Sequence, residues 1–128
     1  MPFNKLNWKV STQDGRSFVL LEEVHFLSED HNNYVIPVGS ESDGASTPSA
    51  LWPFIPPFGI YWRAAFFHDA LYRNLALLDG GKASLPKDKC DTLFLEAMVS
   101  LSVDVALRTK IYEGVHLGGW KAFAEDRR

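Results

Sequence analysis

Cysteine is nearly absent from this chain: Cys90 stands alone among 128 residues. That excludes an internal disulfide framework and a four-cysteine zinc site. An excess of positive charge is missing too. The net charge is −3, Lys and Arg are scattered, and only Arg127-Arg128 sit side by side. Phosphate backbones therefore have no electrostatic reason to bind, and no nucleic acid is expected as a partner. No apolar run approaches the length that crosses a bilayer, so no transmembrane segment is expected. Met1 to Asn7 carry no apolar stretch of the signal-peptide kind, which predicts synthesis in the cytoplasm. What is present is ordinary globular composition, with 46% hydrophobic and 23% charged residues. A chain of this length suits one domain spanning residues 1–128.

The pattern along the chain predicts an α+β protein. Residues 1–40 read as antiparallel β-hairpins. Trp8 to Thr12 and Ser17 to Leu21 flank Asp14-Gly15, a dipeptide suited to a hairpin turn that needs positive φ. Val24 to Leu27 and Tyr34 to Val38 form a second pair around the polar run Ser28 to Asn33. Residues 41–59 read as a structured motif loop. Pro48, Pro53, Pro56 and Pro57 forbid a long helix, and Trp52, Phe54, Ile55 and Phe58 are too apolar for a linker. Those aromatics either close over the core or form an interfacial patch at a membrane surface.

Residues 60–128 read as helical, with three helices. Tyr61 to Leu78 is largely apolar and free of Gly and Pro, which predicts a buried central helix stopped by Asp79-Gly80-Gly81. Pro86 is placed to open a second helix, on which Leu93, Phe94, Ala97, Met98 and Leu101 fall at helical spacing. A third runs from about Val103 through Ile111 and Val115, where Gly118-Gly119 mark a close helix contact or a break.

The chemistry concentrates on the first two helices. His68 can act as base or acid near neutral pH, and Tyr72, four residues on, lies over the same helical face. Asp91, on the next helix, faces His68 if the two helices are antiparallel, which a connection from Asp79 to Leu85 allows. The acid then orients the imidazole of a general base, or the pair simply staples two helices. Asp69 points about 100° away from His68, where it can serve a hard cation together with carbonyl oxygens of a nearby loop. Asp43-Gly44-Ala45-Ser46-Thr47-Pro48 holds a glycine-centred turn able to aim carbonyls at an ion. Ser46 or Thr47 before Pro48 also fits a helix N-cap. His25, His31 and His116 share no ligand spacing and read as surface or strand histidines.

This arrangement resembles the secreted phospholipase A2 superfamily, whose helix signature is Cys-Cys-x-x-His-Asp-x-Cys-Tyr. Here it reads Ala64-Ala65-x-x-His68-Asp69-x-Leu71-Tyr72, followed by Arg73-Asn74 as in the bacterial branch. The superfamily's second helix carries Cys-Asp, matched by Cys90-Asp91, and an upstream Asp-Gly-x-Ser is matched by Asp43 to Ser46. The chain also resembles, over nearly its whole length, an uncharacterised family of phage and bacterial proteins. That family carries Asp-Gly-Ala-Ser-x-Pro, His-Asp-x-Leu-Tyr and a late Asp-x-x-Phe-x-x-x-Met, here Asp43 to Pro48, His68 to Tyr72, and Asp91 to Met98.

The lipase resemblance implies a mechanism. His68 activates a water that attacks a phospholipid or other carboxylic ester, Asp91 orients His68, and Tyr72 supports Asp91. Asp69, Asp43, Gly44 and Ala45 hold Ca²⁺, which stabilises the oxyanion. Ala64, Ala65 and Leu71 stand where the superfamily has cysteines, and the glycine-rich calcium loop is not cleanly present. A core replaces the disulfide staples, and Cys90 becomes a packed thiol. The second resemblance implies synthesis in a bacterial host and incorporation into a phage particle. It leaves open a non-catalytic structural or assembly protein, of tail or particle, bound to other phage proteins. A metal phosphohydrolase using the His-Asp dipeptide, with His25 as a remote ligand, is the third alternative.

Overall fold

The computed structural model of this protein describes residues 2–13, 17–42 and 61–127. Its elements run β1 (Val10–Ser11), β2 (Phe18–Leu20), β3 (Val24–Leu27), β4 (Asn33–Ile36) and β5 (Glu41–Ser42). Then come α1 (Tyr61–Tyr72), β6 (Leu77–Leu78), β7 (Gly81–Lys82), α2 (Lys87–Ser100), α3 (Val105–Gly118) and α4 (Trp120–Asp126). The class is α+β, with two antiparallel sheets ordered β1-β2-β5 and β3-β4-β6-β7.

Alternation sets the register of the β portion. In β3 and β4, Val24 pairs with Ile36 and Phe26 with Tyr34, and all four are buried. A one-residue slip of either strand would turn its own buried pair to the other face. The first expected hairpin forms as β1 against β2, although Asp14 and Gly15 lie outside the described residues. The motif loop does not begin at residue 41: Glu41 and Ser42 pair with Val19 and Phe18 as a strand. Trp52, Phe54, Ile55, Phe58 and the Ser46-Thr47-Pro48 capping sequence lie outside the described residues.

α1 is the central element, with ten of its twelve residues buried. Phe67 meets Phe26 at 4.7 Å and Phe3 at 5.7 Å on the sheet side, and Phe66 meets Trp8 at 5.8 Å. Its other side packs on α2. Tyr61 and His68 both touch Phe94, while Tyr72 reaches back to Asp91. Later residues of α1 therefore meet earlier residues of α2, so the pair is antiparallel, as expected.

α1 is shorter than its apolar sequence suggests. It stops at Tyr72, where Asn74 enters the left-handed region at φ 59° and the Leu75 N–H returns to the Ala70 carbonyl at 2.8 Å. Arg127 donates to the Leu71 and Tyr72 carbonyls at 3.0 and 2.7 Å, capping the helix end. Leu77 and Leu78 then form β6, which turns through Asp79 (φ 54°) and Gly80 (φ 82°) into β7. Two successive positive φ angles make this a tight hairpin turn. Asp79-Gly80-Gly81 thus folds a strand back instead of stopping a helix. The helical tail is also divided: Gly119 separates α3 from α4, giving four helices among the described residues.

Candidate functional site

Asp91 is the hub of the buried polar cluster between α1, α2 and the α3–α4 turn. Its Oδ1 accepts from His68 Nε2 at 2.9 Å and from the Tyr72 hydroxyl at 2.6 Å. Oδ2 accepts from Lys87 Nζ at 2.6 Å. His68 and Asp91 have no exposed surface, and Lys87 is 2% exposed. Burial pushes the Asp91 carboxyl up, but the His68, Lys87 and Tyr72 hydrogen bonds outweigh it and hold the group below its ordinary value. Asp91 is therefore a carboxylate.

The ionised acceptor fixes the histidine. A carboxylate oxygen only accepts, so Nε2 carries a proton directed at Asp91. The ring is held on its faces as well. Phe94 stacks at 4.3 Å with an 18° interplanar angle, and the Tyr72 ring lies 4.1 Å away. These contacts follow from helix geometry. His68 and Tyr72 are one turn apart on α1, and Asp91 and Phe94 are neighbours on one face of α2.

Asp69 points elsewhere, as the helical angle requires. It is buried, and its carboxylate accepts a hydrogen bond from the Ser42 hydroxyl at the end of β5. Ser42 directly precedes Asp43, so Asp69 stands beside the start of the 43–45 segment. Asp43, Gly44 and Ala45 themselves lie outside the described residues. Calcium takes about six to eight oxygen ligands, and Asp69 supplies one carboxylate. Among the described residues no group of three or more His, Cys, Asp or Glu is placed to hold a metal ion.

Two residues of the cluster escape a reading by motif. Lys87 opens α2, where a cation opposes the helix dipole and an exposed lysine would be the ordinary expectation. Here its ammonium also donates to the Val115 and His116 carbonyls at 3.0 and 2.9 Å and lies 5.0 Å from the Trp120 ring centre. The sequence signal was the four-residue spacing between Lys87 and Asp91. His116 is partly exposed, as read from the sequence, and its Nδ1, which has no hydrogen-bond partner, is 3.6 Å from Asp91 Oδ2. By contrast, His25 binds Glu23 and Asn33 through its two ring nitrogens, and His31 sits in a turn at φ 69°.

The positions that carry cysteine in the lipase signature are filled by core. Ala64, Ala65 and Leu71 are all buried, and Cys90 is a free buried thiol that burial pushes up to about 12. No helix of the described residues is long and apolar enough to cross a membrane. No curated protein and no solved structure matches the chain significantly. Residues 18–115 match the family described as "Protein of unknown function (DUF1353)", a span that contains His68, Asp69, Tyr72, Lys87 and Asp91. The chain is a member of that family.

Proposed function

We propose that this protein is a hydrolase of phospholipid or other carboxylic esters that works as phospholipase A2 does, and that it acts in a phage context. The observation that carries the reading is the His68–Asp91–Tyr72 hydrogen-bonded set on an antiparallel helix pair, with Asp69 turned to Ser42. A staple between the two helices needs His68 and Asp91, while Asp69 is directed by Ser42 to the start of the 43–45 segment.

In this reading His68 Nδ1 takes a proton from water as the water oxygen attacks the ester carbonyl carbon. The imidazolium then returns the proton to the leaving alkoxide as the carbon–oxygen bond breaks. Asp91 keeps the ring in the Nε2–H tautomer and stabilises the imidazolium without taking the proton. Tyr72 holds Asp91 in place. Asp69, with carbonyls of Asp43, Gly44 and Ala45 and the Asp43 carboxylate, would hold Ca²⁺, which supplies a counter-charge for the oxyanion.

The test is turnover of micellar or bilayer phospholipid, and of a short-chain ester, with calcium supplied. His68→Ala should lose roughly two orders of magnitude or more of activity, and Asp69→Asn should lose it while staying folded. Calorimetry without a calcium heat on folded wild type would remove the cation from the mechanism.

One observation favours a second reading. His68 has no exposed surface, so a substrate does not meet it in this conformation. A non-catalytic tail or particle component that keeps the scaffold accounts for that burial. A folded wild type that turns over no lipid, yet is found stoichiometrically in a phage particle, would establish it. The phosphohydrolase alternative would need His25 to leave its exposed hydrogen bonds with Glu23 and Asn33.

A further inference from the structure

We infer that Lys87 is a positioning residue for the His68–Asp91 pair, held in place by the α3–α4 turn. Three oxygens surround its Nζ within hydrogen-bond distance: Asp91 Oδ2, Val115 O and His116 O. A neutral amine has two N–H groups and cannot donate to all three, so the group is an ammonium with every proton committed. That arrangement fixes Oδ2 and leaves Oδ1 aimed at His68 Nε2 and the Tyr72 hydroxyl.

Stability alone does not explain a lysine here. Its charge opposes the α2 dipole, and an apolar pair of similar volume in place of a buried ion pair is often neutral or better. What the ammonium adds is direction. The titratable groups facing Asp91 are Lys87 on its own helix, His68 with the Tyr72 hydroxyl on α1, and His116 on α3. Lys87 joins Asp91 to α3 through hydrogen bonds. The Val115 and His116 carbonyls belong to the last turn of α3, the negative end of that helix, and Val115 O also accepts from the Gly119 N–H at 2.8 Å. Gly119 lets the turn come this close. A Cβ there would lie 2.9 Å from the Tyr72 hydroxyl and 3.4 Å from Lys87 Cε.

The kinetic consequence rests on the ester-hydrolysis reading; the spectroscopic one does not. In wild type the imidazole Nε2–H donated to Asp91 should give a low-field proton signal protected from solvent exchange. Lys87→Met, folded by circular dichroism, should lose that signal or shift it upfield. It should also lower kcat about tenfold or more with KM little changed, the mark of an interaction that matters in the transition state. A folded Lys87→Met with the wild-type signal and wild-type kcat overturns the inference. Absence of ester turnover in wild type sinks the proposed function only, and the low-field proton still decides the role of Lys87. If Lys87→Met does not fold, the Lys87 ¹⁵Nζ resonance of wild type decides. It must be an ammonium whose protons exchange slowly at neutral pH, and a neutral amine or solvent-rate exchange overturns the inference.

Discussion

Asp91→Asn is the most informative single change for stability, because it removes one charge and almost no volume. The new amide keeps one acceptor oxygen. If that oxygen stays on His68 and Tyr72, the amide NH₂ faces the Lys87 ammonium, donor against donor. A cation 2% exposed then has no counter-charge. Breaking a buried pair in this way costs about 3–5 kcal/mol. For a chain of this size each kcal/mol lowers Tm by roughly 3–5 °C, so a fall of roughly 10–25 °C is expected. Urea titration should show a lower midpoint with an unchanged slope. Adding Lys87→Met removes the stranded cation, so the double variant should recover about 2 kcal/mol or more over Asp91→Asn. An Asp91→Asn protein within about 1 kcal/mol of wild type would refute the claim that Asp91 and Lys87 form a charged, buried pair.

The acid limb follows from the same carboxylate. Its folded value lies below the ordinary one, so its contribution is present above about pH 4 and lost as pH falls through the lowered folded value. Asp91→Asn should therefore show a flatter loss of stability on acidification than wild type, read by urea midpoints along a pH series. The two neighbouring glycines should respond oppositely to alanine. Gly118→Ala, in open space at the end of α3, should be neutral or stabilising by up to about 1 kcal/mol. Gly119→Ala puts a methyl 2.5 Å from the Val115 carbonyl and should cost about 1–3 kcal/mol by thermal melt. Cys90, with its thiol pushed up to about 12, should resist alkylation at pH 8 in the folded protein and react fully in denaturant, as mass spectrometry would show.

Local pattern determined much of this molecule. Val24, Phe26, Tyr34 and Ile36 alternate and so declare one buried face of a hairpin, and β3 and β4 pair in that register. His68 and Tyr72 sit one turn apart on an apolar helix, and Asp91 lies on the next helix. Those three facts were enough to bring the three side chains together, because a short connection leaves an antiparallel pair as the simple packing. Asp69 had to point away from them for the same helical reason, and Ser42 receives it.

Tertiary structure decided what depends on residues far along the chain. The end of α1 was not legible in the run Tyr61 to Leu78, since short apolar segments suit helix and strand alike. Arg127 caps Tyr72 from the far end of the chain, and Val35 recruits Leu77 into a sheet. Lys87 is the clearest case. Read locally, a lysine in the first turn of a helix belongs in water. Here the carbonyls of Val115 and His116, brought in by the turn at Gly119, replace that water and make a buried cation tolerable. A charge can be buried only where every one of its protons is met. Which oxygens meet them is settled by how the helices pack.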